Sequence, residues 1–118
     1  IRFAELYSVY AKAEVDIILV PAAFLVKTGS VHWEVLLKAR AIESQCYVVA
    51  PAQSGVHLSG ESGLKRETFG HSMVVSPWGE ITAIKENGTG VFFTELSHEL
   101  TQKVRQQIPM RSHRRIDF

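Results

Sequence analysis

Two stretches limit what this chain can fold into. Asp16 to Phe24, "DIILVPAAF", is an almost unbroken aliphatic and β-branched run, and Cys46 to Gln53, "CYVVAPAQ", is a second. A strand with one wet face alternates polar and apolar residues, so runs like these predict strands covered on both sides. The first is expected to be central. Between them the spacing predicts a helix opened by Gly29 and capped by Ser30, with Val35, Leu36, Ala39 and Ile42 as the apolar stripe through to Gln45. Strand, helix and strand over this length suit a βαβ unit, although burial is the firmer expectation and parallel pairing the weaker one. Glu34 and Lys38 stand four apart in the favourable order for a pair.

The flanking sequence adds elements of other kinds. Leu6, Val9, Tyr10 and Ala13 recur at helical spacing, predicting an amphipathic helix over 4–13. Residues 54–70 have no apolar period and hold four of the eight glycines, so they read as a long surface loop of the sort that moves or carries function. In "HSMVVSPWGEITAI" alternating residues flank Ser76-Pro77-Trp78-Gly79, where proline second and glycine fourth predict a type I turn and a hairpin. Asn87-Gly88 marks a further reversal before a strand in "TGVFFTEL". Ser97 then caps a closing helix in which Leu100, Val104 and Ile108 share a face and which Pro109 ends.

Composition excludes some classes of function. A formal charge of +1 creates no field that would draw in nucleic acid or an anionic membrane. The apolar run Val15 to Val26 is broken by Asp16 and Pro21 and is too short to cross a bilayer. A single cysteine forms no internal disulfide and has no Cys or His at metal-site spacing, so a reducing, intracellular setting is expected. The basic cluster of Arg111, His113, Arg114 and Arg115 reads as a docked or solvated tail more readily than as a phosphate patch, because no aromatic platform is interleaved with it. With Ile1 first and no initiator methionine, the chain is expected to be a piece of something longer.

Few residues offer chemistry. Cys46 follows the negative pole of a helix and enters an apolar strand, which is the setting of a core thiol and the opposite of what a thiolate needs. The five histidines show no metal spacing. His57 and His98 read as solvent-facing; His32 and His71 are better placed to face a pocket, with a hydrogen-bonded structural role equally open for each. Arg40 and Glu43 suit a partly buried ion pair, and Arg2 and Glu5 a local one. The residues by themselves indicate an incomplete α/β domain with a functional-looking loop.

Several blocks in order then carry a resemblance. "IRFAEL", "VPAAF…TG…HWEVLLKARAIESQCYVVAPAQSG", "GHSMVVSPWGEI" and "IPMRSHRR" resemble the carbon–nitrogen hydrolase (nitrilase) superfamily, and within it the deaminated-glutathione amidase branch. The resemblance implies a four-layer α-β-β-α sandwich of which this chain supplies half, exposing sheet edges and apolar faces when alone. It also implies a Glu, Lys, Cys triad, with no metal or organic cofactor. Ile1-Arg2-Phe3 match the last three positions of the family's Cys-Tyr-Asp-hydrophobic-Arg-Phe block, so the triad is expected upstream and none of it here. The resemblance places Phe24, Thr28, His32 and Trp33 on the pocket wall, and makes Arg66 and His71 candidates for holding a substrate carboxylate. For Phe24 and Trp33 a core role, and for Arg66 a solvated one, stay open. Residues 1–108 would form the C-terminal part of the hydrolase domain, and residues 109–118 a tail at a homodimer interface.

The reaction so implied is cytoplasmic or mitochondrial metabolite repair, hydrolysis of the γ-amide of deaminated glutathione to 2-oxoglutarate and cysteinylglycine. An ω-amidase acting on 2-oxoglutaramate and a non-catalytic binding subunit are the alternatives. Ala4, Pro51, Phe69 and Ser76 depart from the family pattern, at positions where proline, a small residue, tyrosine and aspartate are usual.

Overall fold

The structure, a computed structural model, describes residues 1–115. The last three positions of the expected tail lie outside the described residues. Helix α1 spans Ala4–Lys12, close to its predicted bounds. Strand β1, Ile17–Leu19, follows, and then a helical segment in three pieces. These are a short turn α2 (Val26–Thr28), a π-helical turn (Gly29–Trp33), and α3 (Glu34–Ser44). Ser30 is therefore inside a helix that has already begun, and its hydroxyl bonds back to the Lys27 carbonyl at 3.2 Å instead of capping.

The face that α3 buries also differs from the predicted stripe. Leu37, Arg40, Ala41 and Ser44 are buried, while Val35 and Ile42 are exposed and Leu36 and Ala39 are half-buried. The helix has apolar residues on two sides, and docking onto the sheet selects one. Gln45 ends it in the left-handed region, φ 51°, and its side chain donates to the Ile108 carbonyl at 2.7 Å.

Strand β2 (Tyr47–Ala50) pairs in parallel with β1, completing the βαβ unit. Strands β3 (Ser54–Leu58) and β4 (Lys65–Phe69) make a separate antiparallel hairpin where a surface loop was expected. The surface part of that expectation holds, since Val56, Leu58 and Leu64 are exposed, but backbone pairing orders the segment without an apolar period. Strands β5 (Ser72–Val75) and β6 (Ile81–Lys85) form the predicted hairpin. Its turn closes with the Gly79 N–H on the Ser76 carbonyl at 2.9 Å, and the Ser76 hydroxyl accepts from Trp78 and Glu80.

The main sheet has the order β1-β2-β5-β6, parallel at the first step and antiparallel after it. β1 is thus an edge strand here, contrary to the central place predicted. Ile18 points into the core, whereas Ile17 and Leu19 are 46% and 69% exposed, because no described strand pairs beyond it. Helices α1 and α3 cover one face, burying Tyr7, Trp33, Leu37 and Ala41 against Ile18, Val48, Met73 and Val75.

Residues 91–96 form no strand; Val91 and Phe93 are exposed and the segment makes no ladder. Ser97 then donates its N–H to the Tyr47 hydroxyl and caps α4 (His98–Gln107) by accepting from Leu100 at 3.0 Å. Of the face predicted for α4, Val104 is buried. A final turn, α5 (Met110–His113), folds back onto α1, with Arg111 paired to Glu14 and Arg114 donating to the Ser8 carbonyl.

Candidate functional site

The π-helical turn places His32 and Trp33 beside the segment that leaves β1. Phe24 packs on Trp33 with ring centroids 5.0 Å apart and planes tilted by 54°. Trp33 is wholly buried, and its Nε1 donates to the His71 carbonyl at 2.8 Å. A buried indole finds a hydrogen-bond partner in this way when its ring carries apolar contact.

His71 stands at φ 60°, a left-handed conformation uncommon for a side chain with a Cβ. Its ring lies flat on Phe69, 3.8 Å between centroids, and Nδ1 is 2.9 Å from the Phe69 carbonyl. A carbonyl only accepts, so Nδ1 holds the proton. Gly29 faces Phe69 so closely that a Cβ there would strike the Phe69 side chain.

Arg2 joins the same cluster. Its Nη1 lies 2.9 Å from His32 Nδ1, and its guanidinium is 5.0 Å from the centre of the Phe24 ring. The expected local pair with Glu5 is replaced by these contacts. A cation just ahead of a helix is at the positive pole, where the helix dipole disfavours it, and that was the signal in the sequence that Arg2 has a partner elsewhere.

Of the six positions singled out from the sequence, Phe24, His32, Trp33 and His71 therefore form one connected cluster, with Arg2, Gly29 and Phe69 added by the structure. Thr28 is adjacent in sequence and bonds locally, its hydroxyl to the Leu25 carbonyl at 3.3 Å. Arg66 stands apart. It pairs across the hairpin with His57, on the face that carries Thr68, and Phe69 points to the other face because side chains alternate along a strand. His57 is likewise ordered, Nε2 being 2.8 Å from the Thr68 hydroxyl. Of the two candidates for holding a substrate carboxylate, Arg66 is exposed on the hairpin and His71 is stacked on Phe69.

Arg40 and Glu43 form the predicted pair at 2.5 Å. Arg40 also donates to the Ile1 carbonyl at 2.8 Å and lies over the Tyr7 ring, so it fixes the chain just ahead of α1. A cavity of about 530 Å³ lies elsewhere, lined by Ser8, Lys12, Gln45, Arg105, Met110 and Arg114 among others. It shares no residue with the aromatic cluster. Among the described residues, no group of three or more His, Cys, Asp or Glu side chains is gathered to hold a metal ion, and no helix is long and apolar enough to cross a membrane.

Comparison with known proteins decides the family. The carbon–nitrogen hydrolase family model matches residues 1–106. This chain belongs to the carbon–nitrogen hydrolase family. A protein from Synechocystis named deaminated glutathione amidase is 45% identical over 114 residues, covering 97% of this chain and 40% of its own length. A Bos taurus protein of the same name is 46% identical over 117 residues, 99% of this chain and 34% of its own. The chain therefore spans between a third and two fifths of the length of these relatives.

Solved structures agree on the hydrolase fold. The Caenorhabditis elegans NitFhit protein superposes with a TM-score of 0.88 at 43% identity, over 97% of this chain and 26% of that one. Saccharomyces cerevisiae Nit3, described as a member of branch 10 of the nitrilase superfamily, gives 0.83 at 32% identity, over 98% of this chain and 41% of that one. The mixed α/β layers seen here are thus a part of the nitrilase-type architecture.

Within this hydrolase domain Cys46 is fully buried, and burial pushes its thiol from the ordinary 9.0 up to about 12. Asp16 raises it further and Arg105 opposes both. Its N–H bonds to the Ala41 carbonyl at 3.3 Å, so the residue is part of the turn between α3 and β2. A thiol that remains protonated in this range supplies neither a nucleophile nor a metal ligand at neutral pH.

Proposed function

We propose that this chain is the C-terminal part of an amidase that hydrolyses the γ-amide of deaminated glutathione to 2-oxoglutarate and cysteinylglycine. The names of its relatives at about 45% identity support the activity class. The observation that carries the reading is the seat of Arg2, held on Phe24 and His32 at the start of α1. Because Ile1-Arg2-Phe3 match the end of the family's nucleophile block, a Cys-Tyr-Asp immediately ahead of Ile1 would present its cysteine beside this wall.

In that scheme an upstream glutamate takes the proton of the cysteine thiol, and the thiolate adds to the amide carbon while a lysine supports the oxyanion. The C–N bond breaks as cysteinylglycine leaves with a proton, and water then hydrolyses the thioester to release 2-oxoglutarate. This chain contributes binding. Arg2 Nε and Nη2 make no hydrogen bond among the described residues, and a guanidinium fork matches a substrate carboxylate in two bonds. Phe24 forms the apolar wall beneath it, backed by the buried Trp33. The upstream half of the domain would cover Ile17 and Leu19 at the open edge of β1.

The test is to assay the intact protein, upstream sequence included, on deaminated glutathione and on 2-oxoglutaramate, with the 118-residue chain as control. Faster turnover of deaminated glutathione by the intact protein, and none by the control, is expected. Preference for 2-oxoglutaramate, or no hydrolysis of either amide, would refute the proposal.

A further inference from the structure

We infer that His32 acts on the substrate at one remove, as the positioning residue of Arg2. The inference rests on the reading above, in which Arg2 receives a substrate carboxylate. A guanidinium has N–H donors and no acceptor, and it stays protonated in proteins, so the 2.9 Å contact has one possible direction. Arg2 donates, and His32 Nδ1 accepts with its lone pair. The neutral ring must then carry its proton on Nε2.

Phe24 bounds the guanidinium on a second side, 5.0 Å from its ring centre. That ring does not yield easily, because Trp33 backs it and is itself tied to the His71 carbonyl. An exposed arginine on a free stem loses much rotamer freedom when it binds. Held at one nitrogen by the imidazole and on one face by the aromatic ring, Arg2 keeps the Nε and Nη2 edge of its fork in a fixed plane. His32 is thereby moved from the substrate contact predicted by resemblance to the support of that contact.

In the intact protein, His32→Leu is expected to raise KM for deaminated glutathione about 10- to 100-fold, the scale of one hydrogen bond to a charged group, with kcat changed less than about threefold. His32→Asn places an amide oxygen where Nδ1 stood and should bring KM back to within about threefold of the parent. In an Arg2→Ala background His32→Leu should add almost nothing. Long-range proton–nitrogen NMR spectra give a readout free of turnover, in which His32 Nδ1 should be unprotonated and its resonance should move in Arg2→Ala.

His32→Asn as poor as His32→Leu, additive effects in the double variant, or a protonated Nδ1 would overturn the inference. An intact parent protein without amidase activity would overturn the proposed function instead, and the spectra would still decide the role of His32.

Discussion

Trp33 Nε1 donates to the His71 carbonyl at 2.8 Å, joining positions 38 residues apart. The bond ties the π-helical turn to the crossing between the β3–β4 hairpin and the main sheet. Trp33→Phe keeps an aromatic ring but removes the donor and leaves a gap, so the intact protein should lose about 1–3 kcal/mol of stability, measured by urea denaturation. No loss would mean that the carbonyl finds another partner at no cost.

Cys46 sets a prediction about reactivity. A thiol at about 12 and wholly buried should resist thiol reagents at neutral pH in the folded protein and react once the chain is unfolded. The folded state holds this proton more tightly than the unfolded one. Stability from this group is therefore complete below the ordinary thiol value of 9.0 and is lost as pH rises from there toward 12. Tyr7, raised mainly by burial, acts in the same direction. Comparing alkaline denaturation of the parent with Cys46→Ala isolates the share due to the thiol; the variant should show a shallower fall, and turnover of the intact protein should survive.

Gly29 sets a steric one. In Gly29→Ala the new Cβ would meet the Phe69 side chain, and Phe69 would have to leave its stack on His71. Overpacking of this kind costs about 1–3 kcal/mol, visible as a lower denaturation midpoint. A midpoint equal to the parent's would show that Phe69 is free to move.

The tail offers a prediction about assembly. Arg111 and Arg114 dock α5 on α1 of the same chain. If residues 109–118 also reach a homodimer interface, deleting them should shift the intact protein toward monomer by sedimentation velocity. An unchanged profile would remove the tail from the interface.

Much of the fold was legible because it rests on neighbours in sequence. The helix at Ala4–Lys12, the Ser76–Gly79 turn and the Ser97 cap are decided within a few residues, by periodicity, by proline and glycine, and by a hydroxyl near free N–H groups. Cys46 was legible too, since its distance from any positive helix pole is a local fact. Segment 54–70 was not, because the ladder from Ser54↔Phe69 to Leu58↔Lys65 is held by backbone bonds that leave little trace in side-chain order.

The candidate site was legible in part. Phe24, His32, Trp33 and His71 could be chosen from blocks of sequence, but Arg2 could not be matched to His32, because that contact crosses 30 residues and depends on how α1 lies against the π-helical turn. Arg66 lies outside that cluster, on the exposed β3–β4 hairpin. A resemblance between blocks of sequence says nothing about which face of a two-residue alternation a side chain takes.

The sequence by itself determined helix α1, the turn at Ser76–Gly79, the Ser97 cap, the strand–helix–strand order around α3, the buried thiol and the family to which the chain belongs, since each is carried by residue types at short spacing. Only the tertiary structure decided which side of α3 is buried, that β1 stands at an open edge, and that Arg2 is held by His32 over Phe24. Those outcomes depend on which surfaces meet, and the preference of each surface for burial is nearly the same until another surface arrives to cover it.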